Sequence, residues 1–269
     1  MLRTLFIGSK NAFDQVLVHW LAQRTDLVGV IWTHSTAWQR SWQGRLSFTQ
    51  KRLKRYGPLK ILDELLFYLY YHTVLSKNDH IELTQKVIEP YWAKHTGGWE
   101  GDSIFTLDVN TPEVIAFLEK RKPDLALAMC INNYFGKKVR RIPKNGIFLW
   151  HEGITPEYKG LYSPFWAVHN LDFDRIGYTL LQMNDKYDAG TIYVQGQAQE
   201  INPFQQSHGY LGHKAIYDSL PAVEKFFQAL AKGDARPIVR ETAIANSYTY
   251  PGITDLIRQW IRLQRLARQ

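Results

Sequence analysis

A strand–helix–strand unit at the start of the chain constrains the fold more than any other feature. A short apolar run at residues 5–7 leads into "GSKNAF", a helical pattern follows over 13–23, and "LVGVIWTH" comes next as a second buried-type strand. At this spacing the three predict a right-handed βαβ unit and a parallel sheet. The alternation resumes after residue 100. "SIFTLD" predicts a strand and "NTPEVIAFLEKRK" a helix opened by an Asn or Thr cap with Pro112 at its start. "PDLALAMC", "GIFLW", "IGYTLLQM" and "TIYVQGQAQEI" predict further strands, with short helices in "FGKKVRRIP" and "SPFWAVHN". A long helix is expected over about 213–231, and a basic helix closes the chain. The expected class is α/β, a Rossmann-like, mainly parallel sheet.

Residues 35–95 break this rhythm. "QKRLKRYGPLKILDELLFYLYYHTVL" and "DHIELTQKVIEPYW" look helical, punctuated by Pro58 and Pro90. They predict a helical insertion, and the stripe Leu62, Leu65, Leu66, Leu69 within it is expected to pack against a core in preference to binding a membrane. The expected organisation is an α/β domain over 1–200 carrying that insertion, and a C-terminal helical extension over 201–269 packed on it.

Composition removes several function classes. With 45% hydrophobic and 14% aromatic residues among 269, a large core is available and global disorder is not expected. The single cysteine, Cys130, rules out an internal disulfide and a Cys-rich zinc site. The turn after the first strand has only Gly8 and fails the G-x-G-x-x-G pattern, which disfavours a nicotinamide cofactor. His208 and His213 lie five apart, not at helical ligand spacing, and no metal site is expected. The start reads as a strand and not a signal peptide, and no segment approaches about 18 uninterrupted apolar residues. A soluble cytoplasmic protein without a membrane span is the expectation. Its oligomeric state is not legible.

The formal charge of +8 is unevenly placed. Residues 27–62 contain no acid but carry Arg40, Arg45, Lys51, Arg52, Lys54, Arg55 and Lys60, and "LIRQWIRLQRLARQ" at the end is basic too. Such stretches attract phosphate-bearing partners or simply form a solvated helix face.

Ligands in open α/β sheets bind beyond the carboxyl ends of strands. His151 stands just beyond the run "IFLW", in "GIFLWHEGITPEYKG", where it is either a catalytic group or a structural histidine. A second polar loop, "QMNDKYDAG", sets Asp185 and Asp188 before Gly190, after the strand "IGYTLL". If the two strands are near neighbours, a carboxylate can orient His151 or raise its pKa. The same residues also serve as an ordinary acidic turn.

These two loops carry a resemblance. His151-Glu-Gly-Ile-Thr-Pro156-Glu-Tyr-Lys-Gly160 resembles the N-x-H-x-S-x-L-P-x-[YW]-x-G loop of the folate-dependent formyltransferases, and Met183-Asn-Asp-Lys-Tyr-Asp188-Ala-Gly190 resembles their M-D-x-x-x-D-[TSA]-G loop. The resemblance extends over about 123–195 and more loosely over 1–33; the insertion and the tail have no counterpart in it. It implies a formyltransferase fold and transfer of a formyl group from 10-formyltetrahydrofolate, as donor substrate, to an amine. It implies His151 and Asp188 as the catalytic pair. The folate pterin is then expected against Met129, Cys130 and Ile131 and against Asn184, Asp185 and Tyr187. Glu152, Tyr158 and Lys159 are expected on the substrate side of the first loop.

The chain departs from that pattern at one position. The family's third catalytic residue is an asparagine two before the histidine, and Leu149 stands there without a donor. Losing one oxyanion donor costs roughly 10²–10³ in turnover. Either Asn132 or Asn133, at the end of the neighbouring apolar strand, supplies the donor; or the chemistry has changed, to a formyl-folate hydrolase, a deformylase or another group transfer; or the chain is a diverged, non-catalytic binding protein. The acceptor is expected to be a small amine, phosphorylated or nucleotide-linked, with transfer RNA as the second candidate. Trp38, Trp42, Phe48 and Tyr56 interleave with the basic residues of the insertion, a composition that stacks bases and pairs phosphates or else packs a core.

Overall fold

The computed structural model describes residues 1–33, 42–129, 134–185, 190–240 and 245–268, without the side chains of 42–45 and 48. Thus Trp38, Arg40, Cys130, Ile131, Asn132, Asn133, Tyr187 and Asp188 lie outside the described residues, as do the side chains of Trp42, Arg45 and Phe48.

The chain begins with β1 (Arg3–Gly8), α1 (Ala12–Arg24) and β2 (Asp26–Thr33). The insertion follows as α2 (Trp42–Tyr70), α3 (Ser76–Leu83) and α4 (Glu89–Lys94), joined by single π turns, Tyr71–Leu75 and Thr84–Ile88. Gly57, at φ 79° and just before Pro58, interrupts α2. Then come β3 (Ser103–Thr106), α5 (Pro112–Arg121), β4 (Leu125–Met129), α6 (Lys137–Arg140), β5 (Ile147–His151) and β6 (Lys159–Gly160). The remainder is α7 (Ser163–His169), β7 (Gly177–Gln182), β8 (Thr191–Gln197), α8 (His208–Asp218), α9 (Leu220–Lys232), β9 (Ser247–Tyr248) and α10 (Ile253–Leu266).

Seven strands form one sheet in the order β3-β2-β1-β4-β5-β7-β8. The first five pair in parallel and the last two antiparallel, so the sheet is mainly parallel as expected. Both faces are covered, and for that reason the strands read as continuous apolar runs. Side chains alternate between two cores. Phe6, Leu127, Phe148 and Trp150 join α1, α8 and α9 on one face; Leu5, Ile7, Ala126, Ala128 and Ile147 join α5 and α6 on the other.

One expected element divides in two. The single helix over about 213–231 is α8 and α9, broken at Ser219. Pro221 has no backbone N–H and is tolerated only in a first turn, so the helix restarts there. Ser219 itself accepts the Trp150 indole N–H at 2.8 Å, which ties the break to the centre of the sheet. The short pairing of β9 with β6 had no counterpart in the sequence pattern. It requires Gly160 at φ 93°, with a Cβ position only 2.2 Å from the Tyr248 carbonyl.

Candidate active site

The strand order reverses between β1 and β4, and the crevice beyond such a reversal is where open α/β sheets bind ligands. β5 borders β4, with Met129, the last described residue of β4, opposite Trp150. His151 is the last residue of β5, not the first after it, and pairs with Thr179 of β7.

The loop after His151 folds back onto the histidine and is held by hydrogen bonds from β7 and β8, although Thr155 Oγ1 and Glu157 Oε2 are buried without a partner. Gly153 is a glycine because a Cβ there lies 2.5 Å from Ser163 Cβ and 2.7 Å from the Tyr158 carbonyl. The Thr179 hydroxyl donates to the Gly153 carbonyl at 2.7 Å. It accepts from the Thr155 N–H at 3.1 Å and from Gln195 Nε2 at 2.9 Å, which uses its one donor and both acceptor sites. Gln195 also donates to the Thr155 carbonyl at 2.7 Å. Arg240 bridges Gln195 and Glu157, and Arg175 reaches Glu157 at 3.1 Å.

This loop fixes the imidazole. His151 is buried, and its Nε2 lies 2.9 Å from the Tyr158 carbonyl oxygen, which can only accept. Nε2 therefore carries the hydrogen. The Ser163 hydroxyl donates to the same carbonyl at 3.1 Å, and in the neutral ring Nδ1 is left as the basic nitrogen.

Leu149 lies two residues back, 8% exposed and paired with Ala128 and Leu181. The described ends of the acidic loop lie at the Ile147–Phe148 end of β5, where Gln182 pairs with Phe148. Met183 donates its N–H to the Ile147 carbonyl at 2.8 Å, and the Cβ position of Gly190 is 3.1 Å from Leu181 Cδ1. Asp188 and Tyr187, and Cys130, Ile131, Asn132 and Asn133 after β4, lie outside the described residues.

The remaining expected residues scatter. Asp185 turns outward to pair with Arg140. Asn184 sits in the same loop. Met129 is buried in the core. Lys159 is half-buried in β6, its N–H bonded to the Asn246 carbonyl. Tyr158 faces inward, its phenol donating to Asp172 at 3.0 Å and its ring stacked on Tyr248, so its contribution to His151 comes through the backbone carbonyl.

Glu152 leaves β5 toward α8, where its carboxylate lies 2.4 Å from the Cβ position of Gly212. Tyr71, Tyr162 and His208 stand together there, with His208 4.4 Å from the Tyr71 ring and 5.0 Å from the Tyr162 ring. Burial, reinforced by nearby acids, holds the Tyr71 phenol well above its ordinary range. Burial, with His213 and His72 adding to it, pushes His208 down to about 3, so its ring is neutral. Asp79 accepts from Ser207 Oγ at 2.5 Å and from the Tyr71 hydroxyl at 3.0 Å, and burial raises its pKa. The sequence reading missed this group because its members come from three distant segments.

It also missed Asp14, an acid in the apolar first turn of α1, and that placement was the available signal. Its Oδ2 accepts from the Ser9 N–H at 2.5 Å, while Oδ1 is buried without a partner. Burial raises its pKa to about 7, partly offset by the Ser9 and Asn11 hydrogen bonds. The unfolded chain has the ordinary carboxylate value, so between roughly pH 4 and 7 the folded state binds the extra proton and stability falls as pH rises. Urea unfolding at pH 5 and pH 8 is expected to show the loss, with a slope of up to ~1.4 kcal/mol per pH unit inside that window. Asp14→Asn is expected to flatten it.

Among the described residues no group of three His, Cys, Asp or Glu side chains is placed to hold a metal ion. No described helix is long and apolar enough to cross a membrane.

The model of the formyl transferase family matches residues 73–215, a stretch containing both loops. The methionyl-tRNA formyltransferase of Thermotoga neapolitana is 29% identical over 126 residues, 47% of this chain and 39% of that protein. The chain thus spans about two fifths of the length of the curated relatives it matches. Among solved structures, a sugar N-formyltransferase from a Shewanella species superposes with a TM-score of 0.56 at 12% identity, covering 98% of this chain and 87% of that one. Glycinamide ribonucleotide transformylase 1 from Symbiobacterium toebii gives 0.54 at 12% identity, covering 92% and 95%. At such identities the likeness is one of fold.

Proposed function

The chain belongs to the formyl transferase family, and from that premise we propose that it moves a formyl group from 10-formyltetrahydrofolate to the amine of a small acceptor. The observation that carries this is the imidazole of His151, held at the end of β5 with Nε2–H on the Tyr158 carbonyl. In the reaction the acceptor nitrogen bonds to the formyl carbon, the bond from that carbon to the donor nitrogen breaks, the amine gives up a proton and the donor nitrogen takes one. His151, through Nδ1, handles a proton or, as imidazolium, steadies the developing oxyanion. Asp188 is assigned to hold that charged form and accept the proton lost by the amine. Leu149 supplies no donor, and the amide of Asn132 or Asn133 is assigned to that place. Met129, Cys130, Ile131, Asn184, Asp185 and Tyr187 are assigned to the pterin side.

Glu152, with the rings of Tyr71, Tyr162 and His208, suits the acceptor side, since a carboxylate among aromatic faces attracts an ammonium. Arg52, paired with Glu64, stacks over the rings of Tyr56 and Tyr250 at 4.9 and 4.8 Å and sets these rings beside the exposed Lys51, Lys54 and Arg55, a composition that suits a nucleotide on the acceptor. These features favour a phosphorylated or nucleotide-linked amine, such as a nucleotide-linked amino sugar, over transfer RNA.

A panel of amines is incubated with the chain and 10-formyltetrahydrofolate and read by mass spectrometry. A mass gain of one formyl group on an amine is the expected result. Free formate released without any amine supports the alternative that Leu149 motivates, hydrolysis in place of transfer, and neither product sinks both. Asn132→Ala and Asn133→Ala test the relocated donor; one of them is expected to lower turnover by about 10²–10³.

A further inference from the structure

α10 turns a mixed face inward, with Leu256 and Leu263 half-buried, and leaves other apolar side chains outside. The residues it turns inward include Asp255 and Gln259, while Ile257 and Trp260 are 51% and 61% exposed. It is joined to α2 by polar contacts. Asp255 takes Lys60 at 3.1 Å, and Asp63 accepts the N–H of Thr254 at 2.9 Å and its hydroxyl at 2.8 Å. α2 behaves in the same way beside that joint. Leu59, 82% exposed, and the exposed Leu62, Leu66 and Leu69 recur at helical spacing along it. The expectation that the stripe Leu62, Leu65, Leu66, Leu69 packs on a core is therefore corrected, because all four side chains face solvent and Phe67 is buried in their place. Asp63 is i+4 from Leu59 and i−3 from Leu66, and Thr254 is i−3 from Ile257, so the two apolar rows flank the same contact.

The charges on these two helices have one sign outward. Their only acids are Asp63, Glu64 and Asp255, and each is engaged inward, Glu64 with Arg52 at 2.5 Å. Lys51, Lys54, Arg55, Arg258, Arg265 and Arg268 are exposed. We propose that α2 and α10 together form a docking surface for an anionic lipid bilayer, lying in its interface with Leu59, Leu62, Leu66, Ile257 and Trp260 toward the acyl boundary and the Lys and Arg side chains among the headgroups. Leucine rows, an interfacial tryptophan and a basic flank without outward acids are the features of helices that lie on membranes. A second copy on the same face brings like charges together in an isologous contact. A nucleic acid satisfies the cations but leaves the leucines, which have no π-face, against water. This surface is separate from the chemistry proposed for His151.

The test is sedimentation of the full chain with vesicles of phosphatidylcholine alone and of phosphatidylcholine mixed with phosphatidylglycerol. Binding is expected to the mixed vesicles only and to weaken with added salt. The double variant Leu66→Glu/Trp260→Glu, checked for fold by circular dichroism, is expected to lose at least about tenfold in affinity. Arg258→Glu/Arg265→Glu is expected to lose binding as well, and Trp260→Ser alone decides if the first pair unfolds. Absence of binding to mixed vesicles, or equal binding to both kinds, overturns the proposal. So does a dimer in sedimentation velocity that Leu66→Glu/Trp260→Glu converts to monomer, since the face then belongs to a second copy.

Discussion

His151→Ala is expected to lower the rate of formyl transfer by about 10²–10⁴-fold, the range for loss of a positioned acid–base group. Its ring is fixed by contacts that do not depend on substrate: the Tyr158 carbonyl at 2.9 Å, and Ser163 reinforcing that carbonyl at 3.1 Å. The loss should therefore fall on the chemical step and leave donor affinity nearly unchanged. Single-turnover kinetics read it directly, with thermal melting run alongside because the side chain is buried. Ser163→Ala leaves the Nε2–H on its carbonyl and is expected to cost about tenfold or less, the loss of one hydrogen bond near 1 kcal/mol. A His151→Ala enzyme within a few-fold of the parent would end the catalytic assignment, since ~10²-fold is the least such a group contributes.

Trp150→Ala is expected to destabilise the fold by about 3–5 kcal/mol, the cost of removing a large buried aromatic side chain. Trp150 is fully buried at the centre of the larger core, lies 6.1 Å from the Trp20 ring, and donates its indole N–H to Ser219 at the α8–α9 break. Trp150→Phe keeps most of the apolar contact and loses the hydrogen bond, so about 1–2 kcal/mol is expected. Urea unfolding of the three proteins tests the ranking. A Trp150→Phe loss equal to that of Trp150→Ala would mean that the bond to Ser219, and not packing, holds the helix break in place.

His151 was legible because it ends an apolar strand, and a sheet covered on both faces leaves only its strand ends open to ligands. Leu149 stands out only against the N-x-H pattern of the resemblance; the structure shows it buried in β5 between Ala128 and Leu181. Asp14 was not legible, because its burial depends on Gly8 and on the Ser9 N–H, which the turn after β1 brings to it. The group around Glu152 was not legible either. Tyr71 comes from the insertion, Tyr162 from the start of α7 and His208 from α8, and no local pattern relates three such segments.

Chain-local physics set the α/β class. Period-two and continuous apolar runs, Thr111 and Pro112 at a helix start, and Pro221 at another are decided within a few residues. The sequence also sets the basic excess of α2 and α10, whose acids are Asp63, Glu64 and Asp255. Tertiary structure alone decided which nitrogen of His151 carries its hydrogen, because that depends on a carbonyl seven residues away that a folded loop returns to it. It also decided which face of α2 and α10 is covered. An amphipathic pattern marks an apolar side but not what lies against it, and here ion pairs through Lys60 and Asp255 joined the helices and left their apolar sides open.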